Sequence, residues 1–474
     1  MALKIYNTLS RQIEEFKPNQ AGIVKMYTCG PTVYHFAHIG NLRSYIMEDV
    51  LEKSLVYLGY KVERVMNITD VGHLSGDSDD GEDKMLKGAQ RENKTVMQIA
   101  EFYTNEFKKD CARLNIKWPD TVVPATSCID EYINLVATLL DKGFAYIAGG
   151  NVYFDVSKLK DYYVLTNHQA DDMFVGVRDG VDADDNKKNP NDFALWFTKS
   201  KFQDQELKWD SPWGYGYPGW HIECSGISMK YLGEYLDIHC GGVDNIFPHH
   251  TNEIAQSEAY LGHKWCNYWF HVQHLNTEGG KMSKSKGEFT TVDVLINRGY
   301  NPLNYRLFCL QSHYRNPLVF GYDRLDGAKS AYDKLVKKTL FIKNNACGDV
   351  QKEQINIYKQ KFGEALENDI NTSLALTCLY DVLKDSSLTN ASKLELIKSF
   401  DTVLSLDLLK DQKIENTEQE IDTDLKTYIE QKIEERKQAK QNKDYAKADA
   451  IRSELLSKGI TLIDSKDGTT YKLN

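Results

Sequence analysis

The pattern of apolar and polar positions changes along the chain from strands interleaved with helices to helices alone. Residues 23–27 (IVKMY) form a mostly apolar run that mixes β-branched and aromatic residues, and the strand pattern stops at Gly30. Apolar residues then recur every three or four positions from Leu42 to Leu58, and residues 62–68 (VERVMNI) have the pattern of a second strand. These patterns predict two buried strands joined by a loop and a helix, the repeating unit of a parallel α/β sheet.

The order of the patterns predicts a Rossmann-like α/β fold with additions. Residues 1–94 and 226–320 carry the strand and helix patterns of a nucleotide-binding catalytic domain, and residues 95–225 are predicted to be a domain inserted into it. Past Gly321 the spacing is helical only, which predicts a helical bundle over residues 321–410.

The C-terminal end of the chain differs from the rest in its charge. Residues 411–425 are acidic and are predicted to be a linker. Residues 426–474 are predicted to be a small C-terminal α/β domain, in which residues 426–458 contain nine Lys or Arg against six Asp or Glu. This excess indicates either an ordinary solvated helix face or a local surface for nucleic acid.

Composition and charge exclude several broad classes of protein. With 474 residues, 41% of them hydrophobic and 27% charged, the chain has the composition of a globular protein of several domains. The net charge of −10 argues against a protein that coats nucleic acid indiscriminately. We find no signal-peptide pattern and no run of membrane-spanning length, and nine cysteines without secretory context indicate reduced thiols. We therefore expect a cytoplasmic protein that does not bind membranes.

The loop between the first apolar run and its helix is the first candidate site. It contains Cys29, His35, His38 and Gly40. At this point of a parallel sheet, the free N–H groups and the dipole of the helix favour an anion such as phosphate. Glycine lets a ligand approach the backbone closely, so a nucleotide fits here. A His-x-Gly pair taken alone is also compatible with an ordinary turn at the start of a helix.

Cysteine, histidine and acidic residues in other segments indicate a metal site. If residues 249–261 form a helix, His249 and Glu253 project from the same face, one turn apart. With Cys29 and Cys224 they offer two sulfurs, one nitrogen and one oxygen, a donor set suited to zinc. Buried thiols beside a core histidine are the alternative without a metal. Spacing does not choose among the rival ligands, which are His221, His239, Cys240 and His250.

Several short segments complete a recognisable set. They are HIGN at 38–41, NITD at 67–70, GWHIECS at 219–225, FPHHTNEIAQ at 247–256, KMSKS at 281–285 and DYAKAD at 444–449. Together they resemble the cysteinyl-tRNA synthetases, a family of class I aminoacyl-tRNA synthetases. The HIGN and KMSKS pair is typical of the class, whereas Cys29 with the GWHIECS and FPHHTNEIAQ segments indicates cysteine as the substrate. The resemblance covers nearly the whole chain.

The resemblance implies a cysteine–tRNA ligase, an enzyme that uses ATP and forms AMP. Such an enzyme converts L-cysteine and ATP to cysteinyl-adenylate and pyrophosphate, and then transfers cysteine to the 3′ end of tRNA(Cys). One Zn²⁺ per chain is implied to select the substrate thiolate, and Mg²⁺ accompanies ATP. The implied zinc ligands are Cys29, Cys224, His249 and Glu253.

The resemblance also implies roles for the remaining site residues. His38, Lys281 and Lys284 are implied to be catalytic, and Thr69 and Trp220 to line the amino-acid pocket. ATP binding is implied for His35, His38, Gly40, Asn41, Lys281 and Lys284. We expect a monomer whose partners are L-cysteine, ATP and tRNA(Cys), with no editing activity in residues 95–225.

Two positions depart from the family pattern, and two other functions are alternatives. Asn41 stands where the second histidine is usual, and Cys240 stands where the family commonly begins a glycine run. One alternative is a paralogous ligase that passes the activated cysteine to an amino sugar. The other is an RNA-binding protein with a structural zinc. The long helical and basic extension favours tRNA as the acceptor.

Overall fold

A computed structural model describes most of the chain, in two units, Met1–Lys410 and Asp411–Asn474. The described residues are 2–71, 84–92, 94–166, 185–199, 207–277, 280–281, 289–411, 423–442, 444–457, 460–465 and 468–473.

The first half of the larger unit alternates strands and helices. Its elements are β1 (Lys4–Asn7), β2 (Gln12–Glu15), β3 (Ile23–Thr28), α1 (Ile39–Tyr57), β4 (Lys61–Ile68), α2 (Lys84–Glu92), α3 (Val96–Arg113), β5 (Thr121–Pro124), α4 (Ile129–Asp141), β6 (Ala145–Ala148), β7 (Asn151–Phe154), β8 (Phe193–Phe197), β9 (Tyr217–Pro218) and α5 (Trp220–Leu232).

The second half of this unit begins with the same alternation and continues with helices. Its elements are β10 (Leu236–Gly242), α6 (Thr251–Leu261), β11 (Cys266–Val272), β12 (Leu275–Thr277), β13 (Gly280–Lys281), α7 (Val292–Asn297), α8 (Pro302–Leu310), β14 (Leu318–Val319), α9 (Tyr322–Asn344), α10 (Lys352–Glu367), α11 (Thr372–Lys384) and α12 (Asn390–Leu404).

The main sheet has five parallel strands in the order β11–β10–β3–β4–β5. The chain runs from β3 through α1 to β4 on one side, and later from β10 through α6 to β11 on the other. The direction of winding therefore reverses between β3 and β10. In open α/β sheets, ligands bind beyond the carboxyl ends of the strands at such a point. The predicted Rossmann-like architecture is confirmed.

Helix α1 forms because its sequence satisfies both its core-facing side and its first turn. Ile39, Leu42, Ile46 and Val50 are fully buried at helical spacing. The backbone of His38 is extended, and its side chain caps the helix by accepting from the N–H of the third helical residue. The candidate phosphate-binding residues His38, Gly40 and Asn41 are therefore the N-cap and the first turn of this helix.

The range 95–225 contributes to two sheets. Strands β6, β7, β8 and β9 form an antiparallel sheet of their own. Strand β5, which lies in the same range, pairs with β4 as the edge of the main parallel sheet. Residues 121–124 therefore belong to the main sheet, and the limits of the inserted domain stay a prediction.

The helices after residue 321 pack on the sheet through one continuous core. Buried residues of α1, such as Leu51, belong to the same apolar cluster as Phe362 of α10 and Phe400 of α12. The rings of Phe362 and Phe400 stack with centroids 4.0 Å apart. The helical region is therefore built onto the catalytic sheet rather than around a separate core.

The smaller unit has its own elements and its own core. It contains α13 (Thr423–Gln441), α14 (Tyr445–Ser457), β15 (Ile460–Ser465) and β16 (Gly468–Leu473), with the two strands antiparallel. Its buried apolar residues are Ile429, Ile451, Leu455, Ile460 and Leu462. Across both units, no helix in the described part of the chain is long and apolar enough to cross a membrane.

Candidate active site and metal centre

A cavity of about 770 Å³ opens at the carboxyl ends of β3, β10 and β11. Its wall includes the loop of residues 29–38, the first turn of α1, Gly241 and Gly242 at the end of β10, and residues 272–275 at and after the end of β11. Of the predicted ATP-binding residues, His35, His38, Gly40 and Asn41 all line it. The structure therefore brings these four residues to one cavity.

His38 and Asn41 hold each other in a reciprocal cap. The N–H of Asn41 donates to Nδ1 of His38 at 3.0 Å, and the N–H of His38 donates to Oδ1 of Asn41 at 3.3 Å. Because Nδ1 accepts, the neutral His38 ring carries its proton on Nε2. The cap uses the Asn41 oxygen, so the Nδ2 amino group is the part of this amide suited to an anion.

Glycine is required at two points of this corner by close contacts. A Cβ added at Gly40 would lie 2.9 Å from the His38 ring. At Gly30, an added Cβ would lie 1.6 Å from the carbonyl oxygen of Asn67 on the neighbouring strand. The loop that carries Cys29 is therefore pressed against β4, which fixes the position of that thiol.

The four predicted metal ligands come together beside this loop. Cys29 follows β3, Cys224 lies on α5, and His249 and Glu253 lie one turn apart where the chain enters α6. The Sγ atoms of Cys29 and Cys224 are 3.9 Å apart, and Cys224 Sγ is 3.6 Å from His249 Nε2. His249 Nε2 is 3.0 Å from Glu253 Oε1.

The two separations that involve Cys224 match those expected between ligands of a tetrahedral zinc ion. Bonds of about 2.3 Å to sulfur and about 2.0 Å to nitrogen place two sulfurs roughly 3.8 Å apart and sulfur and nitrogen roughly 3.6 Å apart. Glu253 Oε1 is buried and makes no hydrogen bond within the described residues, although His249 Nε2 is close. Two ligand atoms that approach without a hydrogen bond are expected when both face a common cation.

His250 competes with Cys224 for the fourth position. Ligand atoms of Cys29, His249, His250 and Glu253 all lie within 4.8 Å of one another. Nδ1 of His250 lies 2.8 Å from Nε2 of His271, which leaves Nε2, 3.3 Å from Cys29 Sγ, as the nitrogen that faces the cluster. Burial and the neighbouring imidazoles lower the pKa of His250 well below its usual value, which keeps the ring in the neutral form that binds a metal. Three ligands are common to both sets.

The other rival ligands occupy supporting positions. His239 Nε2 lies 2.8 Å from Glu253 Oε2, and His221 Nδ1 lies 2.9 Å from His249 Nδ1. Both arrangements resemble the outer contacts that orient metal ligands. Cys240 contacts the loop through its backbone, where its carbonyl accepts the N–H of Cys29 at 3.3 Å.

The charges in the cluster suit a cation. Burial disfavours the charged form of Glu253, but the charges of His239 and His249 outweigh burial and lower its pKa to about 2. Burial also opposes ionisation of Cys224, yet hydrogen bonds with Cys29 and His249 hold its pKa below the usual value. The charge of Glu253 raises the pKa of His249 to about 10 despite burial. A bound metal would displace the proton from His249.

Thr69 and Trp220, the predicted substrate-binding residues, lie next to this cluster. The Thr69 hydroxyl donates to Glu223 at 3.3 Å and accepts from the Asn67 amide at 3.0 Å. Asn67 in turn accepts the N–H of Gly30 at 2.8 Å. The Trp220 ring stacks on the His249 imidazole with centroids 4.3 Å apart. Residue patterns alone do not indicate separate roles for Asn67 and Glu223, because their placement depends on contacts between segments far apart in the chain.

The lysine segment is described only in part. Gly280–Lys281 form β13, which pairs with β12 so that Lys281 lies opposite Asn276. The side chain of Lys281 and all of Lys284 lie outside the described residues. The roles predicted for these two lysines stay predictions.

Glu48, which the sequence analysis did not single out, lines the cavity and is 1% exposed. Its carboxylate lies 3.3 Å from Arg64, which also binds Glu52 at 3.2 Å. Glu52 has a second cation, Lys117, at 2.7 Å. Glu48 is therefore the less compensated of the two acids, and burial raises its pKa to about 7 despite the charge of Arg64.

This raised pKa predicts a specific loss of stability with pH. The folded pKa lies above the unfolded one, so protonation of Glu48 favours the folded state, and this stabilisation is lost as pH rises from about 4.5 through 7. The difference corresponds to at most about 3 kcal/mol. We expect Glu48→Gln to remove this part of the pH dependence, measured as the thermal midpoint between pH 5 and 8. Glu63→Gln is the control, because Glu63 lies on β4 with a side chain that is 39% exposed. Wild-type pH dependence in Glu48→Gln would contradict the assignment.

Comparisons with known proteins identify the family. Residues 15–330 match the model of the tRNA synthetases class I (C) catalytic domain. The chain is 45% identical to a cysteine–tRNA ligase of Treponema denticola, 43% to one of Borrelia hermsii and 39% to one of Treponema pallidum, with 100% of both chains covered each time.

Solved structures share the fold at low sequence identity. A LeuRS from Agrobacterium radiobacter, solved in a ternary complex with tRNA, gives a TM-score of 0.59 at 11% identity over 82% of this chain and 84% of that one. A methionyl-tRNA synthetase of Mycobacterium tuberculosis in complex with methionyl-adenylate gives 0.53 at 13% identity over 81% and 90%. The predicted resemblance is confirmed, and the chain belongs to the class I tRNA synthetases, in the family of the cysteine–tRNA ligases.

Proposed function

We propose that the protein activates L-cysteine with ATP and transfers it to tRNA(Cys), with a zinc ion held by Cys29, Cys224, His249 and Glu253. One observation carries this proposal: Cys29 belongs to the metal cluster and also lines the nucleotide cavity. An amino acid held at the cluster by its sulfur is therefore next to the cavity in which ATP binds.

The residues around the cavity suit adenylate formation. A carboxylate oxygen of cysteine forms a bond to the α-phosphorus of ATP, and the bond to pyrophosphate breaks. His38 Nε2–H and Asn41 Nδ2 can donate to phosphate oxygens, while Lys281 and Lys284 neutralise charge on the α-phosphate and on the departing pyrophosphate, with Mg²⁺ accompanying ATP. Positioning and charge neutralisation lower the barrier without a protein nucleophile.

Thr69 and Trp220 are proposed to orient the amino acid. Thr69 is 2% exposed, and Asn67 and Glu223 fix its hydroxyl from two sides. Trp220 is held against a metal ligand by stacking. Both side chains are therefore positioned by the structure that positions the cluster.

Selectivity for cysteine follows from the donor set. An apolar pocket separates substrates that differ by one methylene by only about 1–3 kcal/mol. When bound, zinc supplies a cation that coordinates a thiolate, which serine and alanine do not offer. We therefore propose that residues 95–225 have no editing activity.

The acceptor is proposed to be tRNA rather than an amino sugar. The relatives named as tRNA ligases match this chain along its whole length, including residues 411–474. Lys437, Lys440, Lys447 and Arg452 are exposed on the two helices of the smaller unit. Basic side chains on one small unit suit phosphate contacts, and we propose that the protein works on tRNA as a monomer.

Pyrophosphate exchange with each amino acid tests the proposal. We expect exchange with cysteine and at least about 10³-fold less with serine, because the hydroxyl is a poor ligand for the metal. A chelator is expected to abolish exchange, and added zinc to restore it. Equal exchange with serine, or full exchange in zinc-free protein, would contradict the proposed role of the metal.

A further inference from the structure

Arg43 is a buried cation whose contacts differ from those of the other buried arginines. It lies on α1 two residues after Asn41 and is 0% exposed. Arg64 pairs with Glu48 and Glu52, and Arg306 pairs with Asp49. Among the described residues, no carboxylate lies within ion-pair distance of Arg43. Arg43 therefore does not compensate the charge of a buried carboxylate, and its hydrogen bonds need another explanation.

The Arg43 guanidinium instead binds three backbone carbonyls from two separate segments. Nη1 donates to the carbonyl oxygens of Gln273 at 2.7 Å and His274 at 2.6 Å, and Nη2 donates to that of Asn316 at 2.7 Å. The planar fork of a guanidinium is suited to such a span, whereas a lysine ammonium is a single point of attachment. One side chain thus ties α1 to the end of β11 and to the loop before β14.

These carbonyls stand where the chain leaves the main sheet for the lysine segment. Gln273 and His274 line the nucleotide cavity, and Leu275 directly after them begins β12. The carbonyl of His274 also accepts the N–H of Leu318, and β12 pairs on one side with β14 and on the other with β13, which contains Lys281. The position of β13 relative to α1 therefore depends on the contacts of Arg43.

We propose that Arg43 is a positioning residue for cysteine activation, which holds the β12–β13 backbone in register with the phosphate-binding turn of α1. Arg43 does not line the cavity and touches the reaction only through the backbone that it holds. This inference rests on the proposed function. It predicts an effect on the use of ATP rather than on cysteine binding. The metal cluster lies on or next to β3, α5 and α6, and within the described part of the chain Arg43 holds none of these elements.

The test compares Arg43→Lys with Arg306→Lys in the full chain. Arg306 is equally buried and also binds carbonyls, those of Leu404 at 2.7 Å and Leu114 at 2.9 Å, but these residues do not line the cavity. In pyrophosphate exchange, we expect Arg43→Lys to lower kcat/KM for ATP at least tenfold with KM for cysteine within twofold. Arg306→Lys is expected to lower the thermal midpoint and to leave both constants within twofold.

The outcomes separate positioning from charge and from general stability. Kinetic constants are compared below the thermal midpoint of every variant. A second variant, Arg43→Gln, removes the charge, and its kcat/KM for ATP is expected to fall at least as far as that of Arg43→Lys. Wild-type constants in Arg43→Lys, an equal loss in Arg306→Lys, or a parallel rise in KM for cysteine would each overturn the inference. An unsubstituted protein without cysteine-dependent exchange would refute the proposed function and this inference with it.

Discussion

Replacing Cys224 with alanine is expected to remove the bound zinc and to lower cysteine-dependent pyrophosphate exchange by about 10³-fold, or about 4 kcal/mol. The physical reason is that Cys224 is buried between Cys29 and His249 and supplies one of the two sulfurs of the proposed donor set. Metal content per chain and exchange kinetics measure the two effects on the same sample.

Two further variants show which fourth ligand the metal uses. Cys240→Ala removes a buried thiol of the apolar cluster that also contains α1 residues, and it keeps the backbone carbonyl that accepts the N–H of Cys29. We expect this variant to keep zinc and activity. His250→Ala removes the rival ligand. Zinc retained in Cys224→Ala and lost in His250→Ala would instead assign the site to Cys29, His249, His250 and Glu253.

The parts of the site that depend on local sequence were accessible before the structure. A residue that follows a strand, such as Cys29, and residues one helical turn apart, such as His249 and Glu253, have positions fixed by backbone periodicity. The sequence therefore predicted that these groups face one another. Residue spacing did not choose between Cys224 and His250, and only the family resemblance named Cys224. Both lie close to the cluster in space, with His250 Nε2 3.3 Å from Cys29 Sγ and Cys224 Sγ 3.6 Å from His249 Nε2.

The contacts that support the site were not accessible, because they join segments far apart in sequence. Arg43 binds carbonyls some 230 to 273 positions away, and Thr69 reaches Glu223 across 154 positions. Every residue has a backbone carbonyl, so the sequence does not show which carbonyls accept a hydrogen bond from Arg43. The place of β5 in the main sheet is a similar case, since its short strand pattern does not state which sheet it joins.

Ending the chain after Lys410 is expected to lower tRNA charging by about 10²-fold or more, while cysteine-dependent exchange stays within about twofold. Residues 411–474 form a separate compact unit with its own apolar core, so their removal leaves the core of the larger unit intact. They also carry exposed basic side chains and Tyr445, which is 63% exposed and offers a ring for an unstacked base. Aminoacylation and exchange assays on the same preparations measure the two activities.

Salt provides an independent check on this division of labour. If the smaller unit acts through phosphate contacts, raising the salt concentration lowers charging steeply in the full chain and much less in the truncated one. Each phosphate contact releases counterions from the tRNA, and the truncated protein lacks the contacts made by the smaller unit. The two proteins then converge at high salt. An equal loss of exchange and charging on truncation would show that residues 411–474 support the catalytic unit itself, and an unchanged salt dependence would assign the phosphate contacts to residues 1–410.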